Sequence, residues 1–444
     1  MTDYRRAPED EHETQLEPTS PLLEHDEAYL DEKAGGSLLS SIANMCNTIL
    51  GTGMLAQPHA VAAGGLIPGA VTIAFCGLMS GMGLYLLSCC ARRVGRTSSF
   101  SALSELTVPS ARVWFDLAIA LKCGGVSVSY LLIFGSLVPT VLQGFGLSGD
   151  SLWLQRDVWV TAAILILTPI AFLKSFNALR YTSYVALVAV ADLVFVVIYK
   201  YFSRGPGDQP AGHVDLIRIS PALISSLPVC VFSYTCAQNL FPVFNELKDN
   251  KQSRMNIVIG SSLGSAMLIY QIIGLLGYLT FGTEVASNIM ESYMPSTLIT
   301  IARLLISINV LFSYPLQLQP CRTSILKIFQ TKPTAEPKRA HFNIVTSLIL
   351  LGSFLIALSV TQLEIILAFV GSTGSTAISF ILPGLFFIKL HSNTAVSLRG
   401  VGATKALAYF LFVYGCVIMV SCLTLNIYEL VMPTHRVGRG KHPH

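Results

Sequence analysis

A chain of 444 residues that is 52% hydrophobic and only 12% charged lacks the surface of a soluble protein, whose charged share is about 25%. Its formal charge of +4 excludes little by itself. The patterning excludes more: the apolar residues gather in runs of about 20, the length at which a helix crosses about 30 Å of hydrocarbon, and no short alternating segments of a barrel are seen. The reading is an all-α polytopic membrane protein.

In chain order, residues 1–35 come first. They hold eleven acidic residues, from Asp3 to Glu32, against Arg5, Arg6 and Lys33, with several prolines and few apolar residues. That composition predicts a disordered acidic tail. No basic region followed by an apolar stretch marks a cleaved signal peptide. Residues 36–430 then read as one transmembrane domain, and 431–444 as a short polar tail.

Apolar periodicity gives about eleven spans. They are 37–63, 67–90, 113–142, 158–173, 182–202, 221–244, 255–280, 297–318, 342–361, 364–390 and 404–430. The loops sort by charge. One side collects Arg92, Arg93, Arg96, Arg112, Lys174, Arg180, Lys248, Lys251, Arg254, Arg322, Lys327, Lys332, Lys338, Arg339, Lys389, Arg399 and Lys405; the other receives Arg156, Lys200, Arg204 and Arg218. Basic loops stay in the cytosol, so the N-terminus is expected inside and, after eleven spans, the C-terminus outside. Arg436, Arg439 and Lys441 in that tail do not fit, and a miscount of one span would explain them. Of the ten cysteines, seven from Cys46 to Cys236 lie in or beside apolar runs. A disulfide-framed outer domain would place them in loops.

Two spans are interrupted. In 37–63 the pair Gly51 and Gly53 sits mid-span. Glycines there weaken a helix and admit φ values closed to other residues; the plain alternative is close helix packing. In 221–244 a polar patch of Ser233, Tyr234, Thr235, Cys236, Gln238 and Asn239 lies between Pro228 and Pro242. Polar groups at that depth are costly unless they pair or line a cavity. Breaks in the first and sixth spans point to a 5+5 inverted repeat with a site between the halves. Amides opening the second half-helix, near Gly53, Met54 and Leu55, suit a carboxylate. Nearby carbonyls suit an ammonium, so the pair of breaks fits a zwitterion.

At these residues the chain resembles the amino acid/auxin permease family, within the group sharing the LeuT-type fold. The stretch from Asn47 to Leu55 with Pro58 resembles that family's first helix. Thr235 to Asn239 with Asn245-Glu246-Leu247 resembles the sixth, Ser313 to Gln317 the eighth, and Gly371-Ser372 with Ile378 to Leu385 the tenth. Fungal vacuolar amino acid transporters are the nearest in pattern. Ala237 stands where many relatives have a histidine, and Gln57 and His59 flank Pro58 where apolar or aromatic residues are usual.

The resemblance implies a secondary active transporter of amino acids, working by alternating access in a vacuolar or lysosomal-type membrane, with the N-terminus cytosolic and the C-terminus lumenal. A proton is the expected coupling ion. Sodium coupling, or an amino acid receptor without net transport, are the alternatives. Substrate contacts are expected at Thr48, Gly51, Thr52, Gly53, Met54, Tyr130, Ser233, Tyr234, Thr235 and Asn239. Ion-coupling contacts are expected at Asn47, Ser313 and Asp192. Interhelical hydrogen bonding is the simpler account of Asn47, and packing that of Tyr130.

Lys122 and Asp192 each lie about 15 Å deep, about ten residues into their spans. An unpaired charge there is unfavourable by several kcal/mol, so the two are expected to pair directly, or Asp192 to stay neutral in the interior, or Asp192 to titrate and carry the coupled proton. His59 reads as a packed histidine, and Arg303 as a residue that snorkels to the outer interface. No nucleotide-binding loop, metal cluster or nucleophile with a placed base is evident, so no cofactor, nucleic acid or catalytic role is expected. Glu17 to Leu23 approaches an acidic dileucine sorting signal, with the acid one residue too far away.

Overall fold

The structure, a computed structural model, describes residues 35–149, 151–173, 182–204, 212–329, 338–392 and 401–431. The expected acidic tail apart from Gly35, and the expected C-terminal tail apart from Val431, lie outside the described residues. Those described form helices, with no strand beyond an isolated bridge between Gly36 and Leu247. The helices are α1 (Leu38–Ile49), α2 (Gln57–Gly64), α3 (Leu66–Val94), α4 (Phe100–Thr107), α5 (Arg112–Gly144), α6 (Arg156–Ala171), α7 (Thr182–Phe202) and α8 (Pro221–Ser233). They continue as α9 (Ala237–Glu246), α10 (Gln252–Phe281), α11 (Ile289–Ser292), α12 (Thr297–Phe329), α13 (Arg339–Ser359), α14 (Leu363–Val370), α15 (Leu382–Leu390) and α16 (Val401–Val431).

Among the described residues, nine helices are long and apolar enough to cross a membrane. The α1 to α2 segment is too broken to count as one uninterrupted span, and α6, at 16 residues, falls just short of the usual crossing length of about 17–25. Large apolar side chains remain exposed on α7, α13 and α16, among them Val188, Phe195, Leu348, Leu351, Phe410, Val413 and Val417. Water does not tolerate such continuous apolar faces; hydrocarbon does. The chain is an all-α polytopic membrane protein.

The centre of the bundle is α5 packed along α12, with α7, α13 and α14 around them and α10 bracing α1, α2 and α3. Basic loops gather at one end. Arg93 donates to the Leu390 carbonyl at 3.3 Å, Arg96 to those of Asn245 and Leu247 at 2.9 and 3.0 Å, and Arg112 to that of Lys327 at 3.3 Å. Arg156, by contrast, caps carbonyls of Ala357 and Val360 at the opposite end. The bridge Gly36 N–H to Glu246 carbonyl, 2.9 Å, pins the entry of α1 to the exit of α9 at the arginine-rich end. Asn245 closes a reciprocal pair with Ser98 there, each bond 3.0 Å.

Arg303 overturns its sequence reading. It is 2% exposed. Its Nε and Nη2 donate to the Met290 carbonyl at 3.1 and 2.9 Å, and Nη2 reaches the Tyr293 carbonyl at 2.7 Å. Helix ends leave orphan carbonyls, and this guanidinium satisfies those of Met290 and Tyr293 at the end of α11 instead of snorkelling.

Candidate substrate site at two facing helix breaks

The first span breaks as its glycines suggested, for a different reason. Neither Gly51 nor Gly53 is left-handed. Leu50 and Gly51 form a tight reversal, with the Gly51 N–H 2.7 Å from the Ile49 carbonyl. A short 3-10 turn, Thr52–Ala56, then leads into α2 with no side chain capping its start. What Gly53 provides is room. A Cβ there would lie 2.8 Å from Ser233 Cα and overlap the Ser233 hydroxyl.

Ser233 ends α8, and the chain is irregular from Tyr234 to Cys236 before α9 begins. The two breaks therefore touch. Ser233 donates to the Val229 carbonyl at 2.8 Å and accepts from Gln57 Nε2 at 2.8 Å. Gln57, fully buried, also takes a weak bond from the Cys230 thiol through Oε1. Tyr270 of α10 stands behind both breaks. Its hydroxyl lies 2.6 Å from the Ile49 carbonyl and 2.9 Å from that of Ser233, so one proton serves two carbonyls that helix termination would leave orphaned. Ser80 of α3 donates to the Tyr234 carbonyl at 3.0 Å.

The expected contact residues spread around this junction. Thr52 is 3.2 Å from Ser129 of α5, hydroxyl to hydroxyl; Ser129 spends its own proton on the Val126 carbonyl, so Thr52 is the donor. Thr48 donates to the Asn44 carbonyl at 3.0 Å and accepts a short bond from Asn239. Met54 is buried. Thr235 donates to the Val231 carbonyl at 2.7 Å and receives a long bond, 3.4 Å, from Ser379. Tyr234 turns its ring against Tyr270, centroids 5.0 Å apart. Tyr130 is buried on α5.

The ion-coupling candidates do not converge as a set. Ser313 donates to Asn309 on its own helix at 3.3 Å, while Asn47 is half-buried near the end of α1. Asp192 is half-buried on α7, with one carboxylate oxygen buried and lacking a hydrogen-bond partner. The direct pair between Lys122 and Asp192 is not formed. Lys122 is buried on α5, its backbone beside Gly374 of the tenth span, whereas α7 packs mainly on α10 and α12.

The tenth span holds what the sequence reading missed most. Between α14 and α15 it opens into wide π turns at Gly371–Ser375 and Ala377–Ile381, a geometry common at functional sites. Its small residues let three helices approach: Gly371 lies against Pro228 of α8, Gly374 against Ala118 and Lys122 of α5, and Gly83 of α3 against the Ser379 carbonyl. Ser80, Ser129 and Tyr270 were also missed, and Gln57 and Ser379 were noted in the sequence without a place in the site. Each is a polar group inside an apolar run, and that was the available signal.

These contacts make the tenth span part of the wall enclosing the two breaks. Residues 34–427 match the family described as transmembrane amino acid transporter protein. The chain belongs to that family. It is 40% identical over 410 residues to vacuolar amino acid transporter 5 of Schizosaccharomyces pombe, covering 90% of this chain and 96% of the relative. It is 35% identical to vacuolar amino acid transporter 5 of Saccharomyces cerevisiae, covering 88% and 97%. Sodium-coupled neutral amino acid symporter 2 of Danio rerio is 24% identical, covering 88% and 82%. A transporter-family chain of this kind is not an enzyme.

At the end of the bundle opposite the arginines, His59 Nε2 of α2 lies 2.9 Å from Glu364 Oε2 of α14, with the side chains 37% and 24% exposed. The pair ties the half-helix after the first break to the start of the tenth span. Glu364→Gln should cost less than about 1 kcal/mol of stability, as partly exposed pairs do, while speeding solute exchange at this end several-fold. A loss above about 3 kcal/mol, the scale of a broken buried pair, with unchanged exchange would make the contact purely structural.

Proposed function

We propose that this chain is a secondary active transporter that moves amino acids by alternating access across a vacuolar or lysosomal-type membrane, with the proton as coupling ion. The observation that carries the reading is the meeting of two broken helices at one level. The 3-10 turn at Thr52 and Gly53 presents uncapped amides, and the irregular stretch from Tyr234 to Cys236 presents backbone polar groups beside it. Amides at a helix start favour a carboxylate and exposed carbonyls an ammonium, which together select a zwitterion. In this reading Gly51, Thr52, Gly53 and Met54 hold the α-carboxylate. Ser233, Tyr234 and Thr235 offer carbonyls to the ammonium, Thr48 and Asn239 brace the break, and Tyr130 covers the bound amino acid.

Membership of the family and the names of the relatives support amino acids as the substrate and the vacuolar membrane as the location. Charge asymmetry between the loops supports a cytosolic N-terminus and, with eleven spans in a 5+5 repeat, a lumenal C-terminus. Proton coupling rests on Asp192, with Asn47 and Ser313 as the candidates for a sodium site if the ion is sodium.

The test is uptake of a panel of amino acids into proteoliposomes, first with an imposed pH difference and then with a sodium gradient. Accumulation driven by the pH difference is expected. Accumulation only with sodium would replace the ion, and saturable binding without movement of any amino acid would leave a receptor and overturn the transport reading.

A further inference from the structure

The segment before α8, residues 212–220, crosses the end of the bundle opposite the arginines as a strap. One half is tied to the end of α10. The Gly212 N–H donates to the Phe281 carbonyl at 2.9 Å, the His213 carbonyl accepts from Thr283 at 3.0 Å, and the Asp215 N–H reaches the Tyr278 hydroxyl at 2.8 Å. The other half is tied to the turn between α2 and α3. The Asp215 and Leu216 carbonyls accept from Leu66 and Ile67, each at 3.0 Å, and the Arg218 N–H donates to the Gly64 carbonyl at 2.8 Å. No side chain caps the start of α3, so the strap satisfies orphan groups of two helix ends at once. The turn is shaped to receive it. Gly65 has a φ of +82°, and a Cβ there would lie 2.8 Å from the Asp215 carbonyl oxygen.

The outward face of the strap is apolar. Leu216, Ile217 and Ile219 are 64%, 60% and 91% exposed. Such a cluster, standing on backbone that bonds inward, calls for an apolar cover. Continuity says which. Ile67, whose N–H bonds to Leu216, opens a line with Val71, Phe75 and Leu78 along the exposed face of α3, a helical spacing that faces lipid. Depth agrees. The last turn of α3 holds Arg92 and Arg93, and about 20 residues back from Arg92, about 30 Å, the hydrocarbon ends near Thr72. Ile67 then stands about 7 Å beyond that edge, in the headgroup layer. Apolar side chains at that level dip about 5–10 Å, to the boundary with the acyl chains.

We propose that Leu216, Ile217 and Ile219 insert into the bilayer leaflet at this end, and that the strap thereby holds the α2–α3 turn at a fixed depth. The partner is lipid, not a second protein. Irregular backbone is tolerated beside hydrocarbon when its polar groups are paired, which the bonds to α10, Gly64, Leu66 and Ile67 provide. The consequence reaches the first break. α2 is the half-helix that follows it, and the strap grips the far end of α2, so the bilayer sets the position of that half-helix. This goes beyond the transport reading, and the insertion itself does not depend on it.

The experiment is fluorescence quenching in phosphatidylcholine vesicles with Ile219→Trp and, as a control on the same strap, His213→Trp, whose parent side chain is 81% exposed. The wild-type emission, from Trp114, Trp153 and Trp159, is subtracted. The signal added by Ile219→Trp should lose roughly half or more of its intensity to bromines near the headgroup end of the acyl chains, the depth of an interfacial segment, and little to acrylamide in the water. The signal added by His213→Trp should show the reverse. A second arm adds no aromatic ring. Leu216→Asp with Ile219→Asp should slow counterflow of a labelled amino acid mixture roughly tenfold, the scale of one lost apolar burial, whereas Leu216→Val with Ile219→Leu should stay within about threefold of the wild type. Acrylamide quenching of Ile219→Trp without bromine quenching overturns the insertion and leaves the patch to a protein partner. Bromine quenching with unchanged counterflow in the aspartate pair overturns the hold on α2. Absence of counterflow in the wild type would remove the transport reading, and the quenching alone then decides the anchor.

Discussion

Gly53→Val should fold and insert yet take up less than about 1% of the wild-type amount of amino acid, since about 1 Å of displacement in a positioned site costs about 100-fold. The reason is local. Any Cβ at residue 53 meets Ser233 Cα and Cβ at 2.8 Å and overlaps the hydroxyl, so the first and sixth spans must part at the point where they touch. Parting them lengthens the Gln57 to Ser233 bond and pulls two carbonyls from Tyr270. Overpacking of this kind costs about 1–3 kcal/mol, which a bundle of this size absorbs. Gly53→Ala sets the same Cβ and should be impaired too, and Gly53→Ala with Ser233→Gly should recover part of the uptake by removing the overlapping atoms. Wild-type uptake by a monodisperse Gly53→Val would sink the idea that these breaks hold the substrate.

Much of the architecture could be read from the chain because membrane helices leave a strong signal. The boundaries of the span at 182–202 coincide with those of α7, and the others shift by a few residues or lengthen beyond the hydrocarbon, as α12 does to Phe329. The first break was legible because two glycines interrupt an apolar run. Its mechanism was not, since glycine as room for a neighbour and glycine as a left-handed turn look alike until the neighbour, Ser233, is seen. The π turns at Gly371–Ile381 were invisible for the opposite reason: the run around them stays apolar, and a change from α to π turns leaves the hydrophobic period nearly intact. The small helix α4 escaped because eight residues between spans give periodicity too little length.

Charges were the hardest to place. Lys122 and Asp192 share a depth, and depth is all that residue counting yields; the angle around the bundle is set by tertiary packing. Counting along α5 and α7 could not show that one lies beside Gly374 of the tenth span while the other sits on a helix packed against α10 and α12. Arg303 was misjudged in the same way. Its position near a helix end suggested escape to water, but a short helix before it offered carbonyls closer than the interface.

Asp192→Asn should abolish accumulation driven by a pH difference, by about 100-fold or more, while exchange of amino acid at equal pH on both sides persists within a few-fold. A carboxylate that is half-buried, with one oxygen lacking any partner, has an ionised form that is costly at depth. A bound proton removes that cost, and the proton must come from whichever side the site faces. Asparagine keeps the size and stays neutral, so it holds the helix without carrying a proton. Because Lys122 does not pair with Asp192, substitutions at the two positions are expected to act independently. Distant, unlinked sites combine additively, within about 0.5 kcal/mol. The double variant Asp192→Asn with Lys122→Met should therefore keep the loss of pH coupling shown by Asp192→Asn alone. Restored pH-driven accumulation in the double variant would mean that the two charges compensate each other after all. Full accumulation in Asp192→Asn alone would move the coupling ion elsewhere, and the sodium arm of the uptake panel would then show whether Asn47 and Ser313 hold it.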